Sequence, residues 1–437
     1  MNNIQVFEGN RLETKLPAFS NKNERCRFLG RDSSGGVCTV PLSDSLLGSH
    51  LLFLGGIGTG KTNAIFQLLT QLKSSMTERD VMLIFDTKGD FHKEFYRSGD
   101  TVISNDSKAT GPSGVDYWNI FGEIGKGESV EANIVEIAKS LFHERTEKTS
   151  QPFFPNAAKD LFCGILTHFA RSGGVETMDN ARLRSFLDQS SASELRAMLQ
   201  SHSDMKAMVS YIADDRSPQT QGVLSELQQM VREILIGNFR KPGTISVRDT
   251  VRSKGARCIF IEYDLGIGNL LTPIYRLLID LAIKEALCRD KSEGSVWFVI
   301  DEFRLLPNLQ HIDSGVNFGR SLGAKFLVGM QSVEQVFHGY GEPFARSILS
   351  GFMTSVVFRV NDINTREFAK GLFGKNRKRE TFMSSVQTRG IVESIRDAFV
   401  VEDWDVTELK VGQAILGIPE NMPFLFQFDR FNKKTTT

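Results

Sequence analysis

Surplus charge is missing from this sequence: 52 Lys and Arg are matched by 52 Asp and Glu, so the formal net charge is zero. That excludes a chain that grips a polyanion with its whole surface; any basic face must be local. Cysteine is scarce. Cys26, Cys38, Cys163, Cys258 and Cys288 are odd in number and form no Cys-x-x-Cys pair. This argues against a disulfide framework or zinc site and reads as reduced thiols in a cytosolic protein. No run reaches the roughly 18–20 apolar residues of a membrane span; the longest, such as Val296–Ile300, are strand-sized. Met1-Asn2-Asn3-Ile4-Gln5 lacks the basic start and apolar stretch of a signal peptide. Internal repeats and low-complexity tracts are also lacking. A cytoplasmic protein with no membrane span of its own is therefore expected.

What is present is ordinary globular material, with 41% hydrophobic and 24% charged residues among 437. A large core can form without metal or disulfide. At roughly 100–200 residues per domain, about two or three domains are expected. Residues 1–48 are short, mixed and punctuated by Gly, Ser and Asp, and are expected to be a small β-rich segment. Buried parallel strands are expected at 50–54, 81–85 and 101–103, with a helix over 63–72. From about 128 the apolar residues recur at helical spacing, as in Val130, Ile134, Ile137, Ala138 and Leu141. Helical patterns continue at 157–170, 181–187, 194–199 and 223–236, without a convincing strand. Strand texture returns at 258–261, 296–300, 325–329 and 355–358, with helices between. The implied fold class is α/β: a mainly parallel sheet with helices on both faces, interrupted by an all-α insertion. The expected domains are 1–48, then 49–127 with 241–437 as the nucleotide-binding unit, and 128–240 as the insertion. The tail 433–437 is expected to be frayed.

Gly55-Gly-Ile-Gly-Thr-Gly60-Lys61-Thr62 satisfies every fixed position of the P-loop pattern, after a buried strand and at the start of a helix. Glycines let the loop wrap a phosphate with its backbone N–H groups turned inward, and the helix N-terminus adds positive potential. The nucleotide-binding set is Gly55, Gly56, Ile57, Gly58, Thr59, Gly60, Lys61, Thr62 and Asn63. Lys61 places charge on the β- and γ-phosphates of ATP, and Thr62 offers a hydroxyl to Mg²⁺. The strand 296–300 ends in Asp301-Glu302. Asp301 suits the Mg²⁺ shell and Glu302 the attacking water. Gln331 ends the next strand and would lie near the γ-phosphate if that strand neighbours the P-loop strand; a surface glutamine is the competing reading. Arg320, beside the tight turn at Gly323, suits an arginine finger reaching a neighbouring subunit, with a surface salt bridge as the alternative.

The order of these motifs resembles the type IV coupling proteins of bacterial conjugation and secretion, the TraG/TraD/TrwB type within the FtsK/HerA group of DNA-pumping ATPases. The residues that carry the likeness are the P-loop segment from His50 to Thr62, Phe85-Asp-Thr-Lys-Gly-Asp90, Tyr117-Trp-Asn119 and Thr244-Ile-Ser-Val-Arg-Asp249. The densest part is Val299-Ile-Asp-Glu-Phe-Arg304, Gly319-Arg-Ser-Leu-Gly323, Gly329-Met-Gln-Ser332 and Tyr340-Gly341. The resemblance implies a RecA-like P-loop NTPase core with an inserted all-α domain, assembling as a homo-hexamer around DNA. It implies Lys61 and Thr62 on phosphates and Mg²⁺, Asp301 on the metal shell, Glu302 as base, Arg320 as finger and Gln331 as sensor. One departure is that such proteins usually carry an N-terminal membrane anchor, and nothing upstream of Gly55 can span a bilayer. An anchorless member that borrows its membrane contact from a partner is one reading. A soluble relative in phage defence or DNA end processing is another.

A ring motor holds the phosphate backbone without reading bases. Candidate DNA contacts are Arg252, Lys254 and Arg257, and the cluster Lys375, Arg377, Lys378 and Arg379, with solvated loops as the plainer reading of both. The expected function is an ATP-driven DNA translocase of the coupling-protein kind, with relaxase or secretion-channel partners. A nucleotide-dependent switch and a protein-delivery ATPase are the competing classes. A built-in acid at Glu302 favours a hydrolase over a slow switch.

Overall fold

The computed structural model describes residues 3–19, 23–106, 116–173, 175–288, 294–383 and 391–432. The expected frayed tail 433–437 lies outside them. The described strands, in chain order, are β1 Asn3–Glu8, β2 Glu24–Arg31, β3 Val37–Ser43, β4 Leu51–Leu54, β5 Val81–Asp86, β6 Thr101–Ile103 and β7 Arg257–Glu262. They continue with β8 Val296–Ile300, β9 Ala324–Met330, β10 Thr354–Val357, β11 Lys375–Met383, β12 Ile391–Phe399, β13 Gln413–Gly417 and β14 Phe424–Phe428.

Eleven strands form one sheet in the order β3-β2-β14-β13-β10-β4-β9-β8-β5-β7-β6. From β10 to β6 every pairing is parallel; from β13 to β3 every pairing is antiparallel. The parallel strands β4, β5, β8 and β9 are buried along their whole length, because helices cover both faces and no position is left to face water. Alternation still operates, sorting side chains between two apolar layers. Leu52, Leu54, Leu83, Phe85, Phe298 and Ile300 point into one layer. Leu51, Phe53, Met82, Ile84, Trp297 and Val299 point into the other, against Ile65, Leu68 and Leu72 of helix Lys61–Ser74.

The N-terminal strands are joined to the rest of the fold. Residues 1–48 are not a separate segment: β2 and β3 extend the main sheet through β14, and β1 pairs with β11 in a three-stranded sheet with β12. The antiparallel pair β13–β14 was not among the expected strands.

Between Ile103 and Arg257 the described residues hold helices and no strand. The main ones are Val130–Glu147, Phe153–Arg171, Asn180–Gln189, Ala192–Gln200 and Pro218–Ile234. Local signals start several of them: a capping box at Ser191 and Glu194, and Pro218 in the first turn behind a Ser217 cap. The layer packs on the sheet face carrying Phe85 and Phe298, as part of one continuous core. The chain leaves and re-enters the sheet region at a pinch, where Asn119 N–H donates to Ile245 O (2.9 Å) and Ile245 N–H to Tyr117 O (3.0 Å). Glu123, fully enclosed there, accepts from Trp118 Nε1 (2.9 Å), Val247 N (2.7 Å), Arg248 N (3.2 Å) and Ser246 Oγ (3.2 Å). Burial pushes its pKa up, and the four donors oppose that. Glu123→Ala strands those donors and should lower unfolding free energy by about 2–4 kcal/mol. Glu123→Gln, which keeps an acceptor, should lose less, as read by denaturant titration.

Candidate nucleotide site

The P-loop follows β4 and ends at helix Lys61–Ser74. Gly60, at the N-cap, has φ 124° and no side chain to cap with. The first-turn N–H groups therefore remain free of a side-chain cap, which suits an anion. A Cβ on Gly60 would also lie 3.1 Å from both Gly412 Cα and the Phe358 ring. The loop is braced from several sides: Gly55 N–H donates to Met330 O (3.1 Å), Gly56 N–H to Arg359 O (2.9 Å) and Gly412 N–H to Thr59 O (2.8 Å). Ile57 stands out at the tip, 80% exposed.

Lys61 is buried, and its ammonium donates to the carbonyls of Gly55 (2.5 Å) and Gly56 (3.0 Å). Burial lowers its pKa; the Asp301 and Glu302 carboxylates oppose that. Thr62 Oγ1 lies 3.2 and 3.1 Å from the two Asp301 oxygens. Asp301 is pushed upward by burial, with Lys61 and the Thr62 hydroxyl pulling it back. A buried carboxylate held up in this way gains from a cation. The Thr62 hydroxyl beside it adds a second hard oxygen of the kind Mg²⁺ takes.

Glu302 Oε2 accepts from the Gln331 amide. Its Oε1 is buried and accepts no hydrogen bond among the described residues. Arg304 Nε stands 3.2 Å away, close enough for charge pairing but off the hydrogen-bonding direction. Burial raises the Glu302 pKa, and Arg304 is the leading opposing charge. Gln331 reaches Glu302 because β9 lies between β4 and β8, parallel to both, so the neighbour relation that its sensor reading required is met. Gly329 makes this approach possible: a Cβ there would sit 2.3 Å from Asp301 O.

Arg320 is not brought to this cluster. It lies in the last turn of helix Ile312–Leu322, exposed, with Nη2 donating to Ser45 Oγ at 3.1 Å. The whole of β9 separates it from Gln331, a distance of roughly 20 Å at about 3.3 Å per residue. Asn63 lines the same edge as Thr62. Its side chain donates to Asp429 O (3.0 Å) and accepts from Phe431 N (2.7 Å), tying the C-terminal stretch to the P-loop helix. That side chain is committed to the fold, and only its main-chain N–H is left to a phosphate.

A cavity of about 660 Å³ opens beside Thr62 and Asp301, lined also by Asp86, Lys88, Phe91 and Arg430. Sequence reasoning quoted Asp86 and Lys88 without giving them a role, and missed Arg430. Only the fold brings residue 430 to the P-loop helix.

The basic clusters are largely spent inside the chain. Arg252 pairs with Glu285 (3.0 Å), Arg257 Nε donates to Lys254 O (2.7 Å), and Lys254 is 8% exposed, too enclosed to grip a phosphate backbone. On β11, Lys378 pairs with Glu402 (3.1 Å), Arg377 with Glu8 (3.3 Å) and Arg379 with Glu393 (3.9 Å). Lys375 lies over the Phe399 ring at 5.3 Å. This cluster is a strand rather than a loop, and Arg377 and Arg379 find their carboxylates on the neighbouring strands β1 and β12.

Gly329→Ala should push β9 from Asp301, costing about 1–3 kcal/mol of stability and removing any rise in melting temperature seen when Mg²⁺ and nucleotide are added to the parent. A variant still stabilised by nucleotide like the parent would show the close approach to be dispensable.

Residues 35–425 match the family described as Type IV secretion-system coupling protein DNA-binding domain. Coupling protein TraD of Escherichia coli strain K12 is 24% identical over 380 residues, covering 84% of this chain and 49% of that protein. The coupling protein VirD4 of Bartonella henselae is 23% identical over 318 residues, covering 68% of this chain and 48% of that one. The chain thus spans about half the length of the curated relatives it matches. Among solved structures, the unbound conjugative coupling protein TrwBdeltaN70 superposes with a TM-score of 0.74 at 20% identity, covering 94% of this chain and 91% of that one. The plasmid coupling protein TrwB in complex with ADP and Mg²⁺ gives 0.73 at 19%, covering 98% and 96%. The shared architecture is a RecA-like P-loop core with an inserted helical region. By a match over most of its length, this chain belongs to the Type IV secretion-system coupling protein DNA-binding domain family.

Proposed function

We propose that this protein hydrolyses ATP at the subunit interfaces of a ring, a homo-hexamer, and uses the energy to move DNA in conjugative transfer or a related mobile-element process. The observation that carries the reading is the convergence of Thr62, Asp301, Glu302 and Gln331 at one end of three adjacent parallel strands. In this reading Lys61 leaves the Gly55 and Gly56 carbonyls for the β- and γ-phosphates, and main-chain N–H groups of the loop hold the same oxygens. Thr62 and Asp301 would hold Mg²⁺, which neutralises charge on the phosphates when bound. Glu302 takes the proton of the attacking water through Oε1, the oxygen that accepts no hydrogen bond among the described residues, while Gln331 fixes Oε2. A base built into the site favours a hydrolase over a switch.

Arg320 supports the shared-site reading. From the opposite end of β9 it has no path to its own P-loop, whereas a neighbour in a ring can present its nucleotide to that end. DNA as cargo rests on the family description and on the coupling-protein relatives, and relaxase or secretion-channel proteins follow as partners. No helix among the described residues is long and apolar enough to cross a membrane. We assign 128–240 as an inserted helical domain.

ATP turnover measured with and without single- and double-stranded DNA at low salt tests the reading; turnover that neither DNA raises, with no DNA binding, would sink the translocase. Lys61→Ala should lose nucleotide binding. Glu302→Gln should keep binding and lose turnover by about 10²-fold or more. Arg320→Ala should keep binding and lose about 10³-fold; hydrolysis at the parent rate would remove the finger role.

A further inference from the structure

A second cavity, of about 380 Å³, lies at the opposite end of the sheet from the P-loop, and Arg79, Arg320 and Lys325 line it together with Asp44, Ser45 and Thr77. Its three cations are not equivalent. Lys325 is buried, paired with Asp44, and lies 4.5 Å over the Trp297 ring; its charge is neutralised in place. Arg320 donates to the Ser45 hydroxyl and has no carboxylate partner among the described residues. Arg79 is exposed, and its guanidinium likewise has none. Many arginines of the chain are instead spent on carboxylates. Arg25, Arg145, Arg171, Arg184, Arg232 and Arg252 all have one within 4 Å.

The mount of Arg79 is rigid. It leaves the turn that precedes β5, where Asp80 is buried and its carboxylate accepts from Thr77 N (2.8 Å) and from Ser295 N (2.9 Å). Arg79 is therefore held on the chain just before β5, while Arg320 is held by the helix just before β9. Two uncompensated guanidiniums on one cavity repel each other unless an anion is received between them. Their fork geometry fits phosphate oxygens.

We propose that Arg79 is a second cation, beside Arg320, that this chain presents to the triphosphate bound by a neighbouring copy. The inference rests on the shared-site reading above and extends it: the far end of the sheet is a two-arginine phosphate clamp rather than a single finger. Arg79 then stabilises charge on phosphate oxygens in the neighbour's site and takes no part in binding nucleotide at its own P-loop.

The test is turnover in mixed rings. Arg79→Ala should bind nucleotide as the parent does and lose turnover by roughly 10- to 100-fold, with Arg79→Lys recovering part of it. Mixing Arg79→Ala with Lys61→Ala should restore turnover, because an intact P-loop from one variant then faces an intact Arg79 from the other. A damaged fold would not recover on mixing. Arg320→Ala mixed with Lys61→Ala serves as the reference. If that reference recovers while Arg79→Ala turns over like the parent, or fails to recover on mixing, Arg79 is not part of the clamp and the shared site stands. If the reference itself does not recover, the shared site is wrong and this inference falls with it.

Discussion

The parallel register of β4, β9 and β8 is the constraint on which the rest depends. Leu54 lies opposite Met330, and Ile300 opposite Val328, so all three strands end on one edge within a residue or two of each other. Thr62 and Asp301, 239 residues apart in sequence, meet there through Thr62 Oγ1. Parallel strands need crossover connections, and those helices cover both faces of the sheet. The same requirement makes the strands apolar throughout and leaves their C-terminal ends as the places where polar groups converge. Acids at such an edge are partly desolvated, which raises the pKa of both Asp301 and Glu302 and leaves them receptive to cations.

Zero net charge acquires a structural meaning at this point. Many cations are paired within the chain, including Arg252, Arg377, Lys378 and Arg379 of the two clusters that sequence alone offered to DNA. Arg252 belongs to Glu285, and the β11 cations belong to β1, β12 and their flanks. Exposed pairs of this sort stabilise little, at about 0–1 kcal/mol each, but they remove free positive charge from the surface. The informative arginines are those without a carboxylate, and Arg79 and Arg320 share one cavity. Counting Lys and Arg in windows of sequence cannot see which of them are already paired.

The legible parts of the fold were those set by local chemistry. The loop at Gly55–Thr62 announces itself because a phosphate cradle demands glycine, lysine and a hydroxyl at fixed spacing. Strands such as Val296–Ile300 do so because burial on both faces leaves an unbroken apolar run. The helical insertion followed from 3.6-residue periodicity in Val130–Glu147 and Pro218–Ile234. Long-range pairing was not legible. β2 alternates buried and exposed residues as a half-covered strand does, yet nothing local says that its partner is β14, nearly four hundred residues on. Asn63 shows the same limit: it sits beside the phosphate motif, but its side chain serves the backbone of Asp429 and Phe431.

The helical insertion is not an appendage to the nucleotide edge. After Glu302 the chain turns through Phe303–Leu305 and reaches Gln310 and His311, whose N–H groups donate to Asp280 at 3.0 and 3.1 Å. Asp280 lies on helix Gly268–Leu287, with its pKa pushed up to about 6 by burial. The His311 ring then meets Glu136 of the insertion at 2.6 Å, and Lys284 shares that carboxylate. Nearby, the fully buried Arg276 donates to Ser140 O on the same insertion helix. The segment that carries Glu302 is therefore bonded at one end to Gln331 and at the other to the helical layer. Interior packing is close to crystal density, and bonded contacts run without a break from Gln331 through Glu302 and the turn after it to Asp280 and Glu136.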